Sequence, residues 1–252
     1  MYTMKQRNIN SINYMKLLCA FLVVAIHTHP FQDINSIMHY YFSEVLVRIA
    51  VPFFFVSSGY FYIKSLIEGR NIFKKYIIRL LKTYVSWSFI YLILQLFIIV
   101  NSNESILTML KNFIIEFFVY GSYYHLWYIV ALLICVVITT LFYKLKKMKL
   151  LYLISVFLYA IGVIVGAYYK FFSQIPVLSG LYQFYLYTQI RRYLLMGLPF
   201  FMLGYLIFKI KDIPKNINIS IVITSVLFAL EIIIVNILKL QKEIVITFFY
   251  IL

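Results

Sequence analysis

Apolar runs separated by short polar breaks dominate the chain from end to end. The clearest lie at about Ser11 to Pro30, Tyr41 to Ile63, Thr83 to Val100, Tyr124 to Tyr143, Leu150 to Tyr169, Tyr193 to Phe208 and Ile219 to Leu238. Each is close to the roughly 20 residues that a helix needs to cross a hydrocarbon core, and few alternate apolar and polar positions as barrel strands do. The pattern predicts an all-α fold, a polytopic transmembrane helical bundle of about seven complete spans. A further run, "IVITFFYIL", begins at Ile244 and ends with the chain. A helix that short cannot cross a bilayer, so a truncated further span is expected, within a single transmembrane domain over residues 1–252 that is incomplete at its C-terminal side.

The segment from Ile106 to Tyr120 breaks the pattern: it is apolar but short, and it carries Lys111 and Glu116. It is expected to dip into the membrane and return on the side it came from. Loops are short, and no soluble domain, long linker or internal repeat is visible, so function has to sit within the bundle or at its ends.

Composition agrees with the pattern. Of 252 residues, 64% are hydrophobic and 12% charged, and the mean hydropathy of +0.92 is far above that of a water-soluble domain. The net charge of +15 from 23 basic and 8 acidic residues reports orientation rather than nucleic-acid binding. Lys5 and Arg7 precede the first run, and Lys64, Arg70, Lys74, Lys75, Arg79 and Lys82 follow the second, whereas the connection after the first run has no Lys or Arg. By the positive-inside rule the N-terminus is expected in the cytoplasm and the protein in the plasma membrane. A re-entrant 106–120 segment also keeps the basic cluster from Lys144 to Lys149, and Lys209, Lys211 and Lys215, on the cytoplasmic side. The first run is too long for a cleaved signal peptide and lacks a small-residue cleavage pattern. Cys19 and Cys135 fall inside apolar runs and are expected to behave as buried small hydrophobes. Neither a metal-ligand cluster nor a glycine-rich phosphate loop appears, so no metal cofactor is expected.

Within the first run, Lys16 and His27 are eleven positions apart, which at about 100° per residue returns to within about 20° of the same helix face. At ~1.5 Å per residue they stand roughly 16 Å apart along the axis. One stripe of ionisable groups therefore joins the two sides of the membrane, and such groups within spans usually face a bundle interior or a water-filled path.

At these residues the chain resembles the acyltransferase 3 family of integral membrane proteins. The family's first helix carries a basic residue, ten further residues and a histidine, which here reads Lys16 and His27. The usual arginine is replaced by lysine, which keeps the charge and lacks the planar fork. "VRIAVPFFFVSSGYF", Val47 to Phe61, is similar to the family's second helix. "RLLK", Arg79 to Lys82, stands where the family has a cytoplasmic Arg-x-x-Arg. "YHLWYIVALL", Tyr124 to Leu133, and "RRYLLMGLPFFMLGY", Arg191 to Tyr205, resemble two later helix entries. The wording is most similar to the membrane half of vancomycin-resistance serine racemases.

The resemblance implies an enzyme that transfers acyl groups other than aminoacyl groups. It would move an acyl group, acetyl in the simplest case, from a cytoplasmic acyl-CoA to a hydroxyl of a cell-surface glycan, an O-acetylation. His27 would take the proton of the acceptor hydroxyl, and Lys16, Arg79 and Lys82 would hold the phosphates of the donor. Arg48, His125 and Arg191 would join His27 around one outward-facing mouth on the acceptor side. A rival reading, implied by the racemase likeness, is a membrane domain for uptake of a small amino acid such as L-serine, its carboxylate meeting Arg48 or Arg191. A third is an inactive remnant. Glu44, four residues before Arg48, is placed to pair with it. Arg192 is expected to be interfacial, His29 and His39 to be loop residues, and Ser57, Ser58 and Gly59 to permit close helix packing. Glu231, in mid-span, has no evident partner.

Overall fold

A computed structural model describes residues 4–39, 42, 46–100, 105–123, 125–167, 176, 180, 182 and 191–210. The regular elements among them are all helical: α1 (Met4–Thr28), α2 (Ser36–His39), α3 (Ala50–Ile67), α4 (Phe73–Val100), α5 (Ile106–Ile115), α6 (Trp127–Lys144), α7 (Met148–Gly162) and α8 (Leu198–Lys209). A 3₁₀ turn (Leu46–Ile49) leads into α3, and π-helical turns follow α5 (Glu116–Tyr120), follow α7 (Val163–Ala167) and precede α8 (Arg191–Gly197). Six helical stretches among the described residues are long and apolar enough to cross a membrane, and they correspond to the first six predicted runs. The predicted run at 219–238, the one from Ile244, and the residues Glu44 and Glu231 lie outside the described residues.

One boundary differs materially from the sequence expectation. The interval from Lys64 to Lys82 is not a loop: only a tight turn separates α3 from α4, which begins at Phe73. Phe73, Tyr76, Ile77 and Leu80 pack on the core, while Lys74 and Lys75 remain exposed. The apolar residues thus keep a helical period, and the charges between them conceal it in a plain hydropathy reading. The turn is set by Gly69 in the left-handed region (φ +76°). There Gly69 N–H donates to Leu66 O and Arg70 N–H to Ser65 O, each at 3.0 Å, the two bonds of a Schellman cap. Lys146 (φ +58°) closes α6 in the same way, with Lys147 N–H donating to Phe142 O at 2.9 Å.

Helix directions follow from side-chain pairs. The Tyr62 and Tyr76 rings, 5.0 Å apart, flank the α3–α4 turn, so these helices are antiparallel. Phe55 packs on Tyr128 at 4.7 Å and Tyr62 meets Thr140, so α3 and α6 run parallel. Tyr152 on Tyr205 and Tyr159 on Phe200 make α7 and α8 antiparallel. The closest helix crossing among the described residues is between α3 and α8, at Gly59 and Gly204. A Cβ at Gly59 would stand 2.8 Å from the carbonyl carbon of Phe201, and one at Gly204 would stand 2.7 Å from Val56 O. Small residues let two backbones touch where lipid provides no hydrophobic drive, and Pro199 starts α8 within its first turn, where a missing N–H costs nothing.

The core formed around this crossing holds Phe55, Tyr62 and Ile63 of α3, Cys135 and Val136 of α6, and Phe201 and Met202 of α8. Its Tyr62 and Thr140 hydroxyls are paired. Thr140 Oγ1 donates to Val136 O at 2.7 Å and accepts from Tyr62 Oη at 2.6 Å, as buried hydroxyls must. Outside, Phe21, Phe97, Phe118 and Phe157 are among many exposed apolar side chains, far more apolar surface than a water-soluble monomer presents. Both cysteines are buried thiols, as expected. α1 packs at the periphery, where Cys19 and Leu22 meet Val47 and Ala50.

The segment after α5 is fastened to the middle of α4. Tyr84 Oη donates to Phe117 O at 2.6 Å and accepts from Ser122 N–H at 2.9 Å, and Ser88 and Ser122 hydroxyls bond each other. Gly121 sits between them with φ +85°, and a Cβ there would meet Trp127 N at 2.8 Å. Tyr84→Phe should therefore orphan a half-buried carbonyl and a buried N–H at once and cost about 2 kcal/mol. A thermal melt of the purified variant checks this. A melting temperature equal to the parent's would show that the phenol does not hold the turn.

Candidate active site

The Lys16–His27 stripe faces other helices at both ends. At one end, the His27 and His125 rings lie 6.0 Å apart between centroids, tilted by 52°. His27 is supplied by the last turn of α1, and His125 by the short connection into α6. Tyr91, two-thirds of the way along α4, holds the second ring: its hydroxyl lies 2.8 Å from His125 Nε2, and the phenol donates when that nitrogen is unprotonated. Tyr91 is itself stacked on Tyr123 at 4.1 Å and 7°, and Tyr123 contacts His125 edge-on at 5.2 Å. The histidine is thus fixed in position by two phenols. Burial holds the pKa of His125 below the usual 6.5, and the neighbouring His27 lowers it further by charge repulsion. Neutral imidazole is the favoured form at pH 7, able to accept a hydrogen bond or a proton.

At the other end, the Lys16 ammonium lies over the Phe61 ring at 4.9 Å and within electrostatic reach of Arg79. Arg79 stacks on Tyr76 at 4.8 Å and hydrogen-bonds its hydroxyl. Two cations on two helices, with aromatic faces between them, make an electropositive position suited to an anion. Lys82, one helical turn further along α4, is exposed.

Of the remaining predicted residues, Arg48 is half-buried in the turn at the head of α3. The adjacent Val47 packs on Cys19 and Leu22, midway along α1. Arg191 begins the π-helical turn before α8, and the structure describes its backbone only. It is Arg192 whose guanidinium is placed, 5.5 Å over the Trp127 ring. His29 and His39 form a separate ring pair at 5.8 Å, and His39 Nδ1 lies 3.3 Å from Pro30 O. Tyr91 and Tyr123 were not legible as site residues: each is one tyrosine among 24. A position seven residues after the buried Tyr84, on the same face of α4, was the available signal for Tyr91.

These features define a polytopic helical membrane protein with a basic position at one end of a stripe along α1 and a histidine pair at the other. The chain belongs to the acyltransferase 3 family, whose description, Acyltransferase domain, matches residues 9–251. It is 33% identical over 181 residues to a protein named Amino-acid racemase from Enterococcus faecalis, covering 69% of this chain and 25% of that one. A second Amino-acid racemase of the same organism is 28% identical, covering 79% of this chain and 28% of the relative. A Serine/alanine racemase from Enterococcus gallinarum is 26% identical over 66% of this chain and 24% of its own length. The chain therefore spans about a quarter of the length of these relatives. No solved structure matches it.

Proposed function

We propose that the bundle is a membrane-bound O-acyltransferase that moves an acyl group, acetyl in the simplest case, from a cytoplasmic acyl-CoA to a hydroxyl of a cell-surface glycan. Family membership supports acyl transfer. The observation that carries the finer reading is the stripe itself, with Lys16 beside Arg79 at one end and His27 beside His125 at the other.

Lys16 and Arg79 hold the donor's phosphates, and the exposed Lys82 adds a further cation along the same path. The acyl thioester extends along the stripe to the histidines. His27 takes the proton of the acceptor hydroxyl as its oxygen attacks the thioester carbonyl. The C–S bond then breaks, the ester forms, and the departing thiolate receives the proton back. His125, with Nε2–H donating to the Tyr91 hydroxyl, accepts a hydrogen bond from the acceptor at Nδ1. Arg48 and Arg191 stand at the acceptor end and assist in orienting it.

The same reading places the N-terminus and the α3–α4 turn in the cytoplasm. α4 and α6 are antiparallel, which supports a 106–120 segment that leaves and returns on one side. A cysteine placed at Asn71 should stay unreactive towards an impermeant thiol reagent in intact cells, and labelling there would invert the topology.

Membranes containing the protein, incubated with acyl-labelled acetyl-CoA, should transfer label to surface glycan. Burial keeps His125 neutral to a pH below its ordinary 6.5, so the acid limb that its protonation sets should lie below 6.5. Protonation removes the acceptor form, so rate falls only as pH drops through that lowered value. A limb above 6.5 would remove His125 from the mechanism. A second reading is L-serine uptake, with the amino acid taken from the racemase names of the relatives. Serine accumulation without glycan labelling would select it and reject acyl transfer.

A further inference from the structure

A cavity of ≈ 350 Å³ opens beside the histidine pair, lined by Gln95, Glu116, Tyr120, Gly121, Tyr123 and Arg192. Its volume falls in the range of small-molecule sites. Tyr123 is a shared wall, lining the cavity on one side while stacking on Tyr91 and touching His125. The lining is built rather than incidental. Gly121 brings the 117–122 turn against the backbone of Trp127, and the Trp127 ring carries the Arg192 guanidinium.

The chemistry of this lining differs from that at the Lys16 end. It has one carboxylate, one guanidinium, one amide and phenolic hydroxyls, with no net charge and with donors and acceptors interleaved. A polyanion would gain from Arg192 and lose against Glu116. A ring bearing several neutral hydroxyls, each both donor and acceptor, satisfies carboxylate, guanidinium and amide together, and the tyrosine rings offer flat apolar faces to its C–H groups.

We propose that this cavity is the acceptor site, taking a neutral, polyhydroxylated ring of monosaccharide size, with Glu116 and Arg192 as positioning residues. The word acceptor rests on the acyl-transfer reading; the binding of the ring does not.

The test uses the full chain in lipid nanodiscs and, with no acyl donor present, equilibrium binding of a panel of radiolabelled methyl glycosides that includes N-acetylhexosaminides. At least one glycoside should bind the parent. Glu116→Gln and Arg192→Gln should each weaken that binding roughly tenfold or more, the loss of a charge-assisted hydrogen bond, and Arg192→Lys should recover part of it. Glu68→Gln, in an exposed ion pair with Arg70 far from the cavity, is the control. In turnover the same variants should raise the KM for acceptor and not that for donor. Gln95→Leu, on α4, gives the same readout should either charge variant fail to elute as the parent does. The proposal is overturned if no glycoside binds, if L-serine binds and glycosides do not, if the variants bind as the parent does, or if donor KM moves instead. Glycoside binding by a protein that transfers no acyl label would leave this site standing and reject the acyl-transfer reading.

Discussion

His27→Ala should leave the protein folded and membrane-inserted while removing acyl transfer. Loss of a positioned general base costs 10²- to 10⁴-fold in rate, or about 3 to 5 kcal/mol of barrier. His27 lies exposed at the end of α1 and belongs to neither the main core nor the small α1 cluster, so its truncation removes a ring from His125 and little packing. The loss should therefore fall on kcat, with donor binding retained. His29→Ala is the control, since His29 pairs with His39 in the adjoining loop. Lys16→Ala should do the reverse and raise donor KM, while Lys16→Arg should be tolerated because a guanidinium meets phosphate oxygens in pairs. Purified protein, assayed for label transfer alongside a folding check by gel filtration, decides the matter. Full activity in His27→Ala would show that the imidazole is only an interfacial group.

The second large effect is on folding. Gly204→Val should break the α3–α8 crossing, because the added atoms meet Val56 O at 2.7 Å and the Gly59 carbonyl carbon at 2.8 Å. Both are backbone atoms, so no rotamer change relieves the clash, and the helices have to separate along the core that Phe55, Tyr62, Phe201 and Met202 fill. Overpacking of this kind costs about 3 kcal/mol, which for a chain of this size corresponds to a fall in melting temperature of roughly 6–12 °C. The variant should also aggregate on extraction. A melt that coincides with the parent's would mean that the two helices do not cross at these glycines.

How much of this could be read in advance depended on the scale of the signal. The six described spans were legible because lipid demands long apolar runs, whatever packs against them. The start of α4 was not, since Lys74, Lys75, Arg79 and Lys82 depress local hydropathy although Phe73, Tyr76, Ile77 and Leu80 keep the helical period. The Lys16–His27 face was legible from spacing alone, and His125 from its likeness to a family motif. The seat of the Arg192 guanidinium over Trp127 was hidden. Neighbours on a helix point about 100° apart, and the turn that carries Arg192 is π-helical, a wider winding that no local propensity announces. Gln95, Glu116 and Tyr123 lie on separate elements, and only the fastening of the 117–122 turn to α4 brings them around one cavity.

Tyr84, Ser88 and Tyr91 lie on one face of α4, and each grips a different point between Phe117 and His125. A slide of α4 along its axis would carry that whole stretch with it as cargo, His125 included. His27 travels with another body, α1, whose buried contacts are those of Cys19 and Leu22 with the head of α3. The gap between the two imidazoles is thus a gauge of registry between α1 and α4. It widens or closes when α1 shifts along its own axis, before any contact in the main apolar core, which takes no residue from α1, has to break.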